Sequence, residues 1–202
     1  MYLPYSPFWL QWLYPSLLWH KSRKEKSIYL SFDDGPIPVV TPFVLNTLKS
    51  FNAKATFFCI GENIEKHPEI YRQILDAGHS IGNHTYNHLK GWDTEDEIYL
   101  DNVSQCARVV KSNLFRPPYG RAKKSQYSIL NTKYSVVMWD VLSGDFDPDI
   151  SPEKCLQNVL SHTRNGSIIV FHDSLKAFPR LQAVLPKAMA QLSAKGFRFL
   201  PL

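Results

Sequence analysis

Residues 27–60 read SIYLSFDDGPIPVVTPFVLNTLKSFNAKATFFCI, and the fold turns on this stretch. Ile28-Tyr29-Leu30 is an apolar run that the Gly35-Pro36 turn signal stops abruptly, which predicts a buried strand. Thr41-Pro42 then offers a capping hydroxyl followed by proline, a good entry for a helix running to Phe51. A second apolar run follows. The alternation persists downstream: strands are expected at 27–32, 55–60, 79–82, 136–141, 167–171 and 197–200. Helices are expected at 41–51, 68–77, 94–112, 123–131, 152–162 and 180–194. Gly78 and Gly196 close two of them, and Ser151-Pro152 repeats the entry signal. Repeated strand–helix units imply a single-domain α/β fold with a mainly parallel sheet, doubly wound or closed into a barrel.

With 202 residues, 44% apolar and 20% charged, the chain is large enough for one well-buried core. The net charge of +5 comes partly from Lys21, Arg23, Lys24 and Lys26 and from Lys123-Lys124. No nucleic-acid-binding signature accompanies it, so it reads as solvated surface rather than a DNA or RNA interface. Cys59, Cys106 and Cys155 are too few and too scattered for a disulfide framework or a cysteine zinc site. Residues 1–26 stand apart from a domain over 27–202. Trp9, Trp12, Trp19, Tyr2, Tyr5 and Tyr14 crowd the first twenty positions, interrupted by prolines 4, 7 and 15. The stretch lacks the marks of a cleavable signal peptide and is too short and broken to span a bilayer. It is expected to pack across the domain; the alternative is peripheral membrane or cell-envelope contact through residues 1–20, since Trp and Tyr favour that depth. The compartment, cytoplasmic or envelope-associated, stays open at this point, as does the oligomeric state.

In parallel α/β folds function gathers at the carboxyl ends of the strands, and the unusual residues here fall there. Asp33-Asp34 follow the first expected strand, Asn83-His84 the third, Asp145 the fourth and His172-Asp173 the fifth. Tandem carboxylates beside a buried strand need a cation or a proton-transfer role to offset their burial. His84 and His88, spaced i, i+4, share one face if their stretch is helical. One carboxylate and two imidazoles make a three-ligand site with open positions, the usual form of a catalytic metal centre. If Asp34 binds the metal, Asp33 remains as a general base. His172 fits a general acid, with Asp145 able to hold its tautomer and favour its charged form. The prolines keep Phe115-Arg116-Pro117-Pro118-Tyr119-Gly120 extended; Arg116 can pair with a carboxylate, and the Tyr119 amide can point at a developing oxyanion.

Ser31–Pro36, His84–His88, Arg116–Gly120, Trp139–Phe146 and Val170–His172 occur in the order of the motifs of polysaccharide deacetylases, the carbohydrate esterase family 4 or NodB-homology group, which the chain resembles from Ser27 to Leu202. The resemblance implies a distorted (β/α) barrel holding a divalent metal, usually zinc, through Asp34, His84 and His88, with cobalt, nickel or manganese as other occupants. It implies Asp33 as base, His172 as acid, Arg116 as the partner that steers Asp33, and the Tyr119 amide as an oxyanion donor. Two motifs depart from the pattern: Leu142 and Phe146 replace the usual Asp and Trp of the fourth, and Val170 replaces Leu in the fifth. Asp145 is retained. The implied activity is removal of N-acetyl groups from an N-acetylglucosamine-containing glycan, whether peptidoglycan, chitin-like polymer or exopolysaccharide. O-acetyl ester hydrolysis at the same site and a non-catalytic glycan-binding module are the alternatives. An Fe(II) oxygenase fits poorly, because a separate base and acid have no work in that chemistry.

Overall fold

Strand β1 (Ser27–Asp33) sits between two interiors, and its alternating side chains fill both. Ile28, Leu30 and Phe32 join the large core under the helices, with Phe32 stacked between Phe57 and Phe171. Tyr29 faces the other way, against Phe58, Val137 and Ile168. A computed structural model describes residues 3–202 of the chain; Met1 and Tyr2, the start of the expected N-terminal contact segment, lie outside the described residues. After the short helix α1 (Phe8–Leu13) and β1 come α2 (Val40–Ser50), β2 (Thr56–Cys59), α3 (Gly61–Lys66), α4 (Pro68–Asp76) and β3 (Ser80–Asn83). They are followed by α5 (Asp96–Cys106), β4 (Leu114–Phe115), α6 (Lys124–Leu130), β5 (Ser135–Val136) and β6 (Val141–Leu142), then α7 (Pro152–His162), β7 (Ile168–His172), α8 (Phe178–Ala194) and β8 (Arg198–Phe199).

The strands are parallel in the order β5-β4-β3-β2-β1-β7-β6, with β8 beside the start of β1. This curled sheet with flanking helices is the distorted (β/α) barrel expected, in one domain. Register sets the rim. Asp33 lies opposite His172 on one neighbour and Phe58 on the other, and Asn83 lies opposite Cys59 and Phe115. The residues that end these strands therefore emerge at one level.

The gap between β5 and β6 is closed by the N-terminal segment. The Leu142 amide donates to Pro4 and the Ser6 amide to Asp140; further on, Leu18 donates to Val136 and accepts from Met138. Leu17 and Trp19 are buried and fix the segment to the domain. This crossing explains one departure from expectation: the strand expected at 136–141 is two short strands. Val137 still donates to Phe115, but Asp140 already donates to Ile168, so the chain changes neighbours across the seam. The helix expected over 94–112 ends at Cys106, where Arg108 and Val109 bond three residues back in a tightened turn. Thr41 does not cap α2; its hydroxyl donates to Asp173 and accepts from Ile37. Helices α1 and α3, six residues each, and the two-residue β4 are too short for periodicity to announce them. No helix among the described residues is long and apolar enough to cross a membrane.

Candidate active site

Asp34, His84 and His88 meet at the rim, with one ligand atom of each within 4.8 Å of the others. They do not meet as the spacing suggested. His84–His88 is a loop after β3 rather than a helix, with Thr85 at φ 66° and His88 at φ 61°. Asp34 and Tyr119 are also left-handed, at φ 85° and 60°, so four of the six non-glycine residues with positive φ among those described lie at this site. Such conformations are costly and persist only where the surroundings over-determine them.

The donor set fits a divalent cation. The His84 Nδ1–H donates to the Arg116 carbonyl at 2.8 Å, which leaves the Nε2 lone pair facing inward. Burial holds this imidazole down to about 4, against the pull of Asp33 and Asp34, so it is neutral at neutral pH. Asp34 Oδ1 lies 3.7 Å from His84 Nε2 and 3.3 Å from His88 Nε2, yet it is a buried oxygen that accepts no hydrogen bond. Lone pairs converging without a proton between them repel unless a cation lies among them. Two atoms each about 2.1 Å from a shared ion at tetrahedral angles stand about 3.4 Å apart, close to the separations found.

Asp33 and His172, opposite each other in the β1–β7 register, sit in different settings. The Arg116 guanidinium, fully buried, donates to Asp33 Oδ1 at 2.7 Å, to Ser31 Oγ at 2.8 Å and to the carbonyls of Val137 and Met138. It also lies over the Phe58 ring at 4.1 Å. Arg116 thus sits inside the barrel as a fixed support, and Asp33 Oδ2 takes none of its donors. Asp145, buried after β6, accepts from His172 Nδ1 and from the His172 amide, both at 2.8 Å. Burial alone would depress the His172 imidazole, but the charge and hydrogen bond of Asp145, with Asp34 and Asp33 behind them, raise it to about 9.

The sequence profile of the polysaccharide deacetylase family matches residues 20–135. The chain belongs to the polysaccharide deacetylase family. Among similar proteins, a peptidoglycan-N-acetylglucosamine deacetylase of Bacillus cereus is 35% identical over 191 residues, covering 90% of this chain and 88% of the relative. A chitooligosaccharide deacetylase of Azorhizobium caulinodans is 33% identical over 201 residues, covering 90% and 95%. The crystal structure of the Bc1960 peptidoglycan N-acetylglucosamine deacetylase superposes with a TM-score of 0.88 at 31% identity, over 98% of this chain and 95% of that one. A family 4 carbohydrate esterase from Streptomyces lividans, in complex with acetate, gives 0.75 at 30% identity over 86% and 91%.

Several residues of this deacetylase site escaped the sequence reading. Asp173, read there only as the neighbour of His172, clamps the turn that carries Asp34: it accepts from the Gly35 amide at 3.0 Å and from Thr41 Oγ1 at 2.6 Å. A side-chain carbon on Gly35 would lie 2.0 Å from Asp173 Oδ2, so only glycine lets the turn close on the clamp. Asn63 donates to the Asp34 carbonyl at 2.7 Å from α3, and Arg180 donates to the Asp145 carbonyl at 2.6 Å from α8. These contacts join residues 29 and 35 positions apart, and nothing local marks them. Phe146, one of the departures from the family motifs, stands edge-on to the His172 ring at 5.1 Å; Tyr119, of the third motif, is mostly exposed and lies 4.7 Å from the His88 ring.

Proposed function

We propose that this deacetylase hydrolyses the N-acetyl group of an N-acetylglucosamine-containing glycan, with the peptidoglycan-acting relatives favouring a cell-envelope polymer, and releases acetate and a free amino sugar. The observation that carries the reading is that Asp33 and His172, level with each other across β1 and β7, stand beside the Asp34–His84–His88 triangle, each held by its own buried partner. A divalent ion at the triangle, zinc in the first instance and cobalt, nickel or manganese by the same donors, would supply Lewis acidity toward the acetyl carbonyl and the attacking water.

The rest of the chemistry falls to the chain. Asp33 takes a proton from the water as its oxygen bonds to the carbonyl carbon; Arg116 keeps Oδ1 occupied and the carboxylate oriented. The Tyr119 amide donates to the carbonyl oxygen as negative charge grows there. His172, charged at neutral pH, gives its Nε2 proton to the amide nitrogen as the C–N bond breaks, while Asp145 holds Nδ1–H and steadies the cation. Residues 27–202 carry all of these groups, and residues 3–26 serve as the strap across the seam.

The test is acetate release from chitooligosaccharide, peptidoglycan fragments and acetylxylan by metal-free protein reloaded with defined ions. Acetate from the amide substrates, lost in Asp33→Asn and His172→Ala with metal affinity retained, is expected. Release from acetylxylan alone would reassign the substrate, and full activity in both variants would refute the roles.

A further inference from the structure

Of the fourteen described residues with exposed large apolar side chains, seven (Leu3, Tyr5, Phe8, Trp9, Trp12, Leu13 and Tyr14) fall within one twelve-residue stretch of the strap. Helix α1 is the centre of this patch and buries none of its residues. Phe8 and Trp12 are one turn apart, as are Trp9 and Leu13, so the four share one side of the helix. That side points outward, with Phe8 82% and Trp12 78% exposed. The opposite side is the one that meets the domain: Leu10 packs on the core beside Leu17 and Trp19, while Gln11 Nε2 turns back to donate to the strap's own Ser6 carbonyl at 3.1 Å. A helix that turns its most apolar side away from the core needs another phase to cover it.

The charge around the patch identifies that phase. No Asp or Glu occurs before Glu25, while Lys21 and Lys24 on the strap form no ion pair. Lys124, also unpaired, lines a cavity of ≈ 360 Å³ together with Leu13, Tyr14 and Leu17. Trp and Tyr mixed with Leu and Phe, with Lys124 beside them and no acid on the strap before Glu25, match the headgroup depth of an anionic bilayer. A protein groove would present no comparable requirement for unpaired lysines.

We propose that α1 and the turn after it are an interfacial anchor that seats this protein on an anionic lipid surface. The anchor is built on the strap and contributes no residue to the Asp34–His84–His88 site.

Co-sedimentation with vesicles of phosphatidylcholine, with and without phosphatidylglycerol, tests it on the full chain. Binding to the anionic vesicles, with tryptophan fluorescence quenched by lipids brominated in the acyl chain, is expected. Phe8→Ser with Trp12→Ser should lower the bound fraction about tenfold or more, while acetate release from a soluble chitooligosaccharide stays as in wild type. Lys21→Gln, Lys24→Gln and Lys124→Gln together should remove the preference for phosphatidylglycerol. Wild-type protein left in the supernatant, or a Phe8/Trp12 variant that pellets as well as wild type, would overturn the anchor. So would a wild-type dimer that this variant dissociates without any lipid binding, which would assign the face to a second copy.

Discussion

Asp145→Asn removes one charge from the pair that governs His172. Both oxygens of Asp145 accept from that residue at 2.8 Å, one from Nδ1–H and one from the backbone amide; an asparagine keeps the size but removes the charge, and with its single oxygen on the backbone amide it turns its NH2 toward Nδ1, which then holds a lone pair rather than a proton. In the wild type the imidazole is lifted from 6.5 to about 9, a differential of about 3 kcal/mol. Because the folded-state value is the higher one, this stabilisation is fully present below pH 6.5 and fades as pH rises through about 9. At pH 7.5 about 97% of His172 is charged in the wild type. In Asp145→Asn burial is unopposed by its strongest counter-charge, and about 90% or more is neutral. Protonation alone then lowers kcat/KM for acetate release roughly tenfold, and loss of a competent acid lowers it by as much as about 10⁴-fold. The assay is a pH–rate profile on acetylated chitooligosaccharide, paired with an NMR titration of the His172 ring in both proteins. The alkaline limb should fall from near 9 to near or below 6.5. Bound metal offsets the Asp34 charge, so the loaded enzyme should titrate somewhat below the metal-free one. An alkaline limb that does not move, or a wild-type His172 that titrates near 6.5, refutes the reasoning.

Arg116→Met leaves Asp33 charged and buried without its partner, and should cost about 3–5 kcal/mol in urea unfolding along with all acetate release. Gly35→Ala forces either the Asp34 turn or Asp173 to move; about 1–3 kcal/mol of stability should go, and calorimetry should show zinc affinity down about 10–100-fold. Asp173, pushed up to about 8 by burial, holds a proton in the fold that the unfolded chain has already released, so stability of the metal-free protein should fall as pH rises from about 4 to about 8. Asp173→Asn should flatten that slope in unfolding measured across the range; an unchanged slope would place the titration elsewhere.

Much of the site was legible because its residues come in tight clusters. Ser31–Pro36, His84–His88 and Arg116–Gly120 each carry a chemical group beside a turn or a pair of prolines, and each falls where an apolar run stops. The alternation of apolar runs with longer amphipathic stretches gave the parallel sheet, since a strand covered on both faces reads as a continuous run such as Ile28–Leu30. Other features were beyond reach for a physical reason. A strand of two residues has no period, so β4 could not be separated from loop, and the break between β5 and β6 within the expected 136–141 strand did not show. The sign of φ at Thr85 and His88 is imposed by the packing around them, and no residue type in His84–His88 announces it.

The chain's own order of residues decided which groups are available: two adjacent acids, two imidazoles, an arginine and a second acid–imidazole pair. What faces what was decided in three dimensions. Arg116 reaches Asp33 across 83 positions and His172 reaches Asp145 across 27, and only parallel register between β1 and β7 brings Asp33 level with His172. The outward turn of α1 is likewise invisible in its composition, which would suit a core equally well. Pairing energies act between atoms a few ångströms apart, and the strand register and seam closure bring those atoms together.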